Sequence, residues 1–152
     1  MADQWSARPS NGYFIFTVDD VEIGTFGEVR GLEVTMDVEE LQEGGQNQFV
    51  HRLPGRLRWP NIELVRGIVK ADNLFEWMQR CAGEGFESAG STLTRSTAAI
   101  TVLSMEGKPL RSWELSDAFP VHWSGPRFAS GESESPVEHL EITHHGFKSR
   151  NH

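Results

Sequence analysis

The sequence predicts a mainly β domain, either a small β-barrel or two packed antiparallel sheets, with one short flanking α-helix at about 72–82. Three observations predict it. Short runs of β-branched and aromatic residues are punctuated by Gly, Pro, Asn and Asp at close intervals. Apolar residues fall at helical spacing in one place. The chain has 152 residues, 38% of them hydrophobic, which fits one domain around one core, so 1–152 reads as a single unit.

The elements follow in order. Residues 1–12 are polar, contain Pro9 and Gly12, and read as a flexible N-terminal arm. Residues 13–18 (Tyr-Phe-Ile-Phe-Thr-Val) form a strand, Asp19-Asp20 a tight turn, and 21–23 the returning strand. In 32–38, Leu32, Val34, Met36 and Val38 alternate with Glu33, Thr35, Asp37 and Glu39. That period of two predicts a strand with its apolar side in the core and its acidic side in water or a water-filled channel. Residues 39–50 break the pattern, and Gly44-Gly45 marks an exposed loop or hairpin tip. Residues 61–65 form a strand after a turn at Pro60. Asp72 or Asn73 caps a helix whose Leu74, Trp77, Met78 and Cys81 make one apolar stripe, ended by Gly83 and Gly85. Residues 97–103 form a strand, 106–109 a turn, and 110–115, 119–123 and 137–144 three more strands.

Charge is unevenly placed. The formal net charge is -8, which argues against general affinity for a nucleic-acid backbone. Nine acidic residues and one basic residue, Arg30, lie in 19–43. Arg52, Arg56, Arg58, Arg66 and Lys70 lie in 52–70 against Glu63 alone. Either the two signs neutralise each other within one chain, or the positive segment of one copy meets the negative segment of the next.

No catalytic signature stands up. Gly83-Glu84-Gly85 follows a helix and lacks the third glycine of a dinucleotide fingerprint, and Gly107-Lys108 runs into Pro109 without a phosphate-loop glycine before it. His139, His144 and His145 lack a second ligand cluster, and on one strand His139 and His145 would share a face while His144 points away. No catalytic, cofactor or metal residue is assigned. Cys81, the only cysteine, excludes an intrachain disulfide and reads as a small core residue. The first six residues show neither the basic nor the apolar region of a secretory signal, and no window reaches the ~18 apolar residues of a membrane span. Cytoplasmic assembly without membrane insertion by the free subunit is expected.

Seven dense islands remain. They are Gly-Thr-Phe-Gly-Glu-Val-Arg-Gly-Leu at 24–32, Glu-Gly-Gly-Gln-Asn at 43–47, Leu-Pro-Gly at 53–55, Leu-Val-Arg-Gly at 64–67, Arg-Ser-Trp-Glu-Leu at 111–115, Ala-Phe-Pro-Val at 118–121 and Glu-His-Leu-Glu-Ile-Thr-His-His-Gly at 138–146. In this order and spacing the chain resembles, from about Tyr13 to Phe147, the tail tube proteins of contractile phages and phage-tail-like injection particles. The resemblance implies a structural protein, not an enzyme. Six copies would form a ring, and stacked rings a tube around a lumen that conducts DNA or effector cargo. Its partners would be further copies, a contractile sheath protein, and baseplate and tail-terminator proteins. Glu40, Glu43, Gly44, Gly45 and Asn47 are expected to contact an adjacent subunit or ring, with Arg56 and Arg58 as their basic counterparts, and Glu33, Asp37 and Glu39 are candidates to face the lumen. Trp77, Trp113 and Trp123 are expected to be structural, and 83–97 matches the family least. A tube-initiator paralogue at the baseplate is the alternative within this class. A monomeric β-barrel ligand-binding module or enzyme is the alternative outside it.

Overall fold

The computed structural model describes residues 12–41, 50–68, 73–82, 96–126, 131 and 136–152. The expected arm over 1–11 and the tip residues Glu43, Gly44, Gly45 and Asn47 lie outside the described residues.

Among the described residues ten strands and one helix occur in the order β1 (Tyr13–Val18), β2 (Val21–Phe26), β3 (Glu28–Arg30), β4 (Thr35–Leu41), β5 (His51–Arg58), β6 (Ile62–Gly67), α1 (Asn73–Ala82), β7 (Ser96–Leu103), β8 (Pro109–Ser124), β9 (Val137–Thr143) and β10 (Phe147–Asn151). All strand pairings are antiparallel. A first sheet runs β2-β1-β7-β8-β10, and a second runs β3-β6-β9-β8. The 16-residue β8 belongs to both. The sequence suggests two strands there, and the structure joins them through a bend. At the bend Asp117 takes a φ of 51° and pairing with β7 ends at Ser96↔Ala118. Asp tolerates this left-handed geometry better than most residues.

Strands β9 and β10 follow β8 around the same bend. Thr143 pairs with Phe119 and Phe147 with Leu115, so three residues intervene on each side. Ser116 and His145 bridge the gap with amide bonds to Gly146 and Ser116 carbonyls, both 2.9 Å. The other side is joined by the step from β2 to β3, where Gly27 N–H reaches the Val65 carbonyl at 3.1 Å. The two sheets thereby close on each other as a small barrel.

Phe16, Ile23, Phe26, Ile62, Leu64, Ile100, Leu115, Leu140 and Ile142 fill the interior. The α1 stripe forms as expected: Leu74, Trp77 and Cys81 are buried, and Met78 is half-buried. Burial raises the Cys81 thiol pKa, which suits an inert core residue. Trp77 packs on Phe16 at 5.4 Å between ring centroids, and Phe75 packs on Trp123 at 5.2 Å. Trp113 also packs against the core, so the three tryptophans are structural.

One expected element is corrected. Residues 32–38 do not form a single strand with a buried apolar side. Gly31, at φ 87°, turns the chain against the Asn61 carbonyl, where any side chain would collide, and the strand resumes only at Thr35. Leu32 alone of the four apolar residues packs on the core. Beyond the interruption β4 pairs only with β5, as a two-stranded ribbon, among the described residues.

Candidate self-assembly surface

The ribbon is the far half of one long hairpin. Arg30 pairs with Glu63 at the edge of the second sheet, and Thr35 pairs with Arg58 at the base of the ribbon. Four residues lie between these pairs on each strand (31–34 and 59–62), so the register carries through. The near half is wall and the far half is projection.

This projection and its base carry seven of the twelve large hydrophobic side chains that are exposed among the described residues. Val34, Met36, Val38, Leu53 and Leu57 are 47, 51, 57, 43 and 43% exposed, and Leu41 and Val50 are exposed beside them. Cross-strand partners share a face, so Met36 with Leu57 and Val38 with Pro54 make one apolar surface. An uncovered apolar patch on a two-stranded ribbon marks an interaction site. It went unread in the sequence because Pro54-Gly55 masks the alternation of β5. Gly55 lets the strands approach closely there: a Cβ would lie 3.0 Å from the Asp37 carbonyl oxygen.

The ribbon also gathers most of the charges singled out in the sequence. Arg58 donates its Nε–H to Asp37 Oδ1 at 2.8 Å and Oδ2 at 2.9 Å. The hydrogen bond from Arg58 holds the Asp37 carboxyl below its ordinary pKa, and the same bond raises the guanidinium. Arg52 lies 3.8 Å from Glu40. Glu33 precedes the ribbon, Glu39 shares a face with Leu53, and Arg56 is exposed. Among the described residues these three make no ion pair. Pairing within one chain therefore accounts for Asp37 with Arg58 and for Glu40 with Arg52.

Arg66 leaves the basic segment altogether. It points into the barrel, its side chain 4% exposed, with Nε 2.8 Å from Glu138 Oε2 and its guanidinium 5.3 Å from the Phe26 ring centroid. Gly24 makes room for it, because a Cβ there would strike the guanidinium. Lys70 lies outside the described residues.

The histidines are also placed differently from the expectation of one strand. Strand β9 ends at Thr143. His144 is buried, with Nε2 3.1 Å from the Pro60 carbonyl and Nδ1 accepting from Gly146 N–H at 3.0 Å. His139 Nδ1 lies 2.8 Å from Glu63 Oε1, and His145 Nδ1 lies 3.2 Å from Asp117 Oδ2. Among the described residues no three His, Cys, Asp or Glu side chains assemble as a metal-binding group. Among the described residues no helix is long and apolar enough to cross a membrane.

A double sheet with an extended hairpin of exposed apolar side chains offers a surface suited to contact with another molecule. The comparisons agree: the profile of the T4-like virus tail tube protein gp19 family matches residues 10–148. The chain belongs to that tail tube family. Its fold is similar to a chain of the PVC sheath-tube complex of an extracellular contractile injection system, at 22% identity, covering 97% of this chain and 93% of that one, with a TM-score of 0.76. It is similar to a chain in the tube-terminating cap of the anti-feeding prophage, at 23% identity, 100% and 95% coverage and a TM-score of 0.76. Hcp1 from Salmonella typhimurium shares the fold more distantly, at 14% identity, 93% and 87% coverage and a TM-score of 0.54. No match to a curated protein sequence was found.

Proposed function

We propose that this chain is the repeating subunit of the inner tube of a contractile tail or injection particle. Six copies form a ring, rings stack, and the lumen conducts DNA or effector cargo. The subunit acts as structure and carries out no reaction. Assembly takes place in the cytoplasm before the particle leaves, and the partners are the sheath, the baseplate and the tail terminator. The single observation that carries this reading is the exposed apolar ribbon face of Met36, Val38, Pro54 and Leu57.

Within this reading the far end of the hairpin reaches the adjacent subunit or ring. Glu40 and Arg56 lie on that projection, and Glu43, Gly44, Gly45 and Asn47 follow Leu41 in the chain. Arg58 contributes by holding Asp37 and hence the ribbon's shape, and Glu33, Asp37 and Glu39 are the acidic groups offered to the lumen. A baseplate paralogue of the same fold is the second reading, supported by similarity to a chain of the anti-feeding prophage baseplate at 21% identity and a TM-score of 0.73.

Negative-stain microscopy of the purified chain tests the proposal. Six-fold rings or stacked tubes are expected. A strictly monomeric species at high concentration, with no rings in its parent particle, overturns it. Copy number per particle separates the readings, since a tube subunit is present in many rings and an initiator in one.

A further inference from the structure

His144 follows β9 at the corner of the barrel and is only 5% exposed. Its two ring nitrogens have partners of opposite kind. Nδ1 lies 3.0 Å from the Gly146 amide, which can only donate, and Nε2 lies 3.1 Å from the Pro60 carbonyl, which can only accept. These partners fix the neutral ring with its hydrogen on Nε2. An imidazolium carries a hydrogen on both nitrogens, so a proton on Nδ1 would meet the Gly146 N–H head on. Gly146 has little freedom to turn its amide aside. Its carbonyl accepts from the Ser116 amide at 2.9 Å, and Trp59 covers it so closely that a Cβ would lie 3.1 Å from the indole ring.

The surroundings do not favour a charged ring either. Trp59 and Phe147 each pack on it with centroids 6.0 Å away, and on each other at 5.0 Å. The charged and titratable side chains on the segments that meet here are Arg58, Asp117, Glu141, His145 and Lys148. Arg58 pairs with Asp37, and Lys148 is exposed. The carboxylates of the group are engaged elsewhere: Glu141 accepts from Asn61, and Asp117 lies 3.2 Å from His145. A buried imidazolium here would have lost one hydrogen bond and gained no counter-ion.

Trp59 and Pro60 follow directly on Arg58, the last residue of β5. The His144 ring therefore ties the base of the ribbon to the corner of the barrel. We propose that His144 is an acid-sensitive latch on the β4–β5 ribbon: the neutral ring holds Trp59 and Pro60 against the corner, and proton uptake at Nδ1 releases them. The released form accepts a proton for which the latched form has no place, so acid favours release. The latched form is favoured above the ordinary imidazole range, about pH 6.5, and loses ground as pH falls below it. Asp37 titrates lower, so the two acid steps separate. The latch is a property of the single chain. It bears on assembly only through the tube reading above, in which the ribbon is the contact, so that rings seat at neutral pH and loosen in acid.

Nuclear magnetic resonance of the full chain, isotopically labelled and carrying fluorotryptophan, tests the latch between about pH 8 and about pH 5. At the upper end His144 should show the tautomer with hydrogen on Nε2. As the ring takes up a proton, exchange of the Gly146 amide, corrected for its intrinsic pH dependence, should quicken about fivefold, the equivalent of one lost hydrogen bond. The Trp59 fluorine signal, assigned with Trp59→Phe, should move over the same range. His144→Gln keeps a donor and an acceptor but does not titrate, so both steps should vanish. His145→Gln, one residue on, should keep both. A protonated His144 ring with the Gly146 amide and Trp59 unmoved overturns the latch, as do steps that survive in His144→Gln. If His144→Gln fails to fold, the titration of the unmodified chain decides alone. Microscopy of the same samples tests the tube reading separately: rings that persist in acid while the latch opens count against the ribbon as the contact and leave the latch standing.

Discussion

Arg66 and Glu138 meet inside the barrel, 2.8 Å apart, with the guanidinium packed against Phe26 and fitted over Gly24. A charge buried this deeply is tolerable only while its partner remains. The pair joins β6 to β9 and so helps to fix the register of the two strands.

Removing one member should therefore be costly. Glu138→Ala leaves the Arg66 guanidinium unpaired, and the expected loss is about 3–5 kcal/mol of folding stability. Differential scanning calorimetry of the subunit measures it. A loss under about 1 kcal/mol would mean that Arg66 reaches solvent by another route. Gly24→Ala should lower stability in the same assay, because its methyl group displaces the guanidinium.

The ribbon should behave in the opposite way. Val38→Asn with Leu57→Gln alters exposed positions, so subunit stability should move by no more than about 0.5 kcal/mol per site. Ring formation should nevertheless fail, since the polar groups would be desolvated at the contact. Melting and negative-stain microscopy on the same sample separate the two effects. Normal rings would show that the ribbon is not the contact surface.

Acid should loosen the ribbon first. The Arg58 hydrogen bond depresses the Asp37 carboxyl in the folded state. Its contribution is thus present above the ordinary Asp range near pH 4 and is lost as pH falls through the lower folded value. Hydrogen exchange of the β4 amides should rise in that window while the core amides stay protected. Asp37→Asn should give the same faster exchange at neutral pH and remove the pH step. An unchanged step in Asp37→Asn would assign it to another carboxylate.

The corner between β9 and β10 offers a fourth test. Gly146 holds a φ of 114°, and a Cβ there would lie 3.1 Å from the Trp59 ring. Gly146→Ala should cost about 1–3 kcal/mol from backbone strain, measurable by chemical denaturation. His144→Ala should also destabilise, by about 0.5–1.5 kcal/mol, because the Pro60 carbonyl loses its donor. No loss in either variant would show that the corner rearranges freely.

The sequence made β1, β6, β7 and α1 legible because their own alternation or stripe matches the face they bury. The unread elements are held by distant partners. Strand β10, Phe-Lys-Ser-Arg-Asn, has little strand character and exists because β8 bends and supplies a second ladder. Val34, Met36 and Val38 alternate as a core-facing strand would, yet all three are exposed. Arg66 reads as a surface charge until its partner, 72 residues further on, is in place. The acidic and basic segments read correctly as neighbours, but the register of one hairpin matches Asp37 with Arg58 and Glu40 with Arg52 before any second chain is needed.

A strand that belongs to two sheets also has a mechanical meaning. Strand β8 passes without a break from the five-stranded sheet into the four-stranded one. A push along the wall is therefore transmitted through covalent backbone, not across a side-chain interface. Antiparallel hydrogen bonds lie perpendicular to their strands, so a thrust along β8 shears many of them together instead of peeling them one at a time. Pulling single molecules from the two ends of β8 should need more force than pulling across the β4–β5 ribbon. A subunit braced in this way along β8 suits a rod that must stay straight when driven forward.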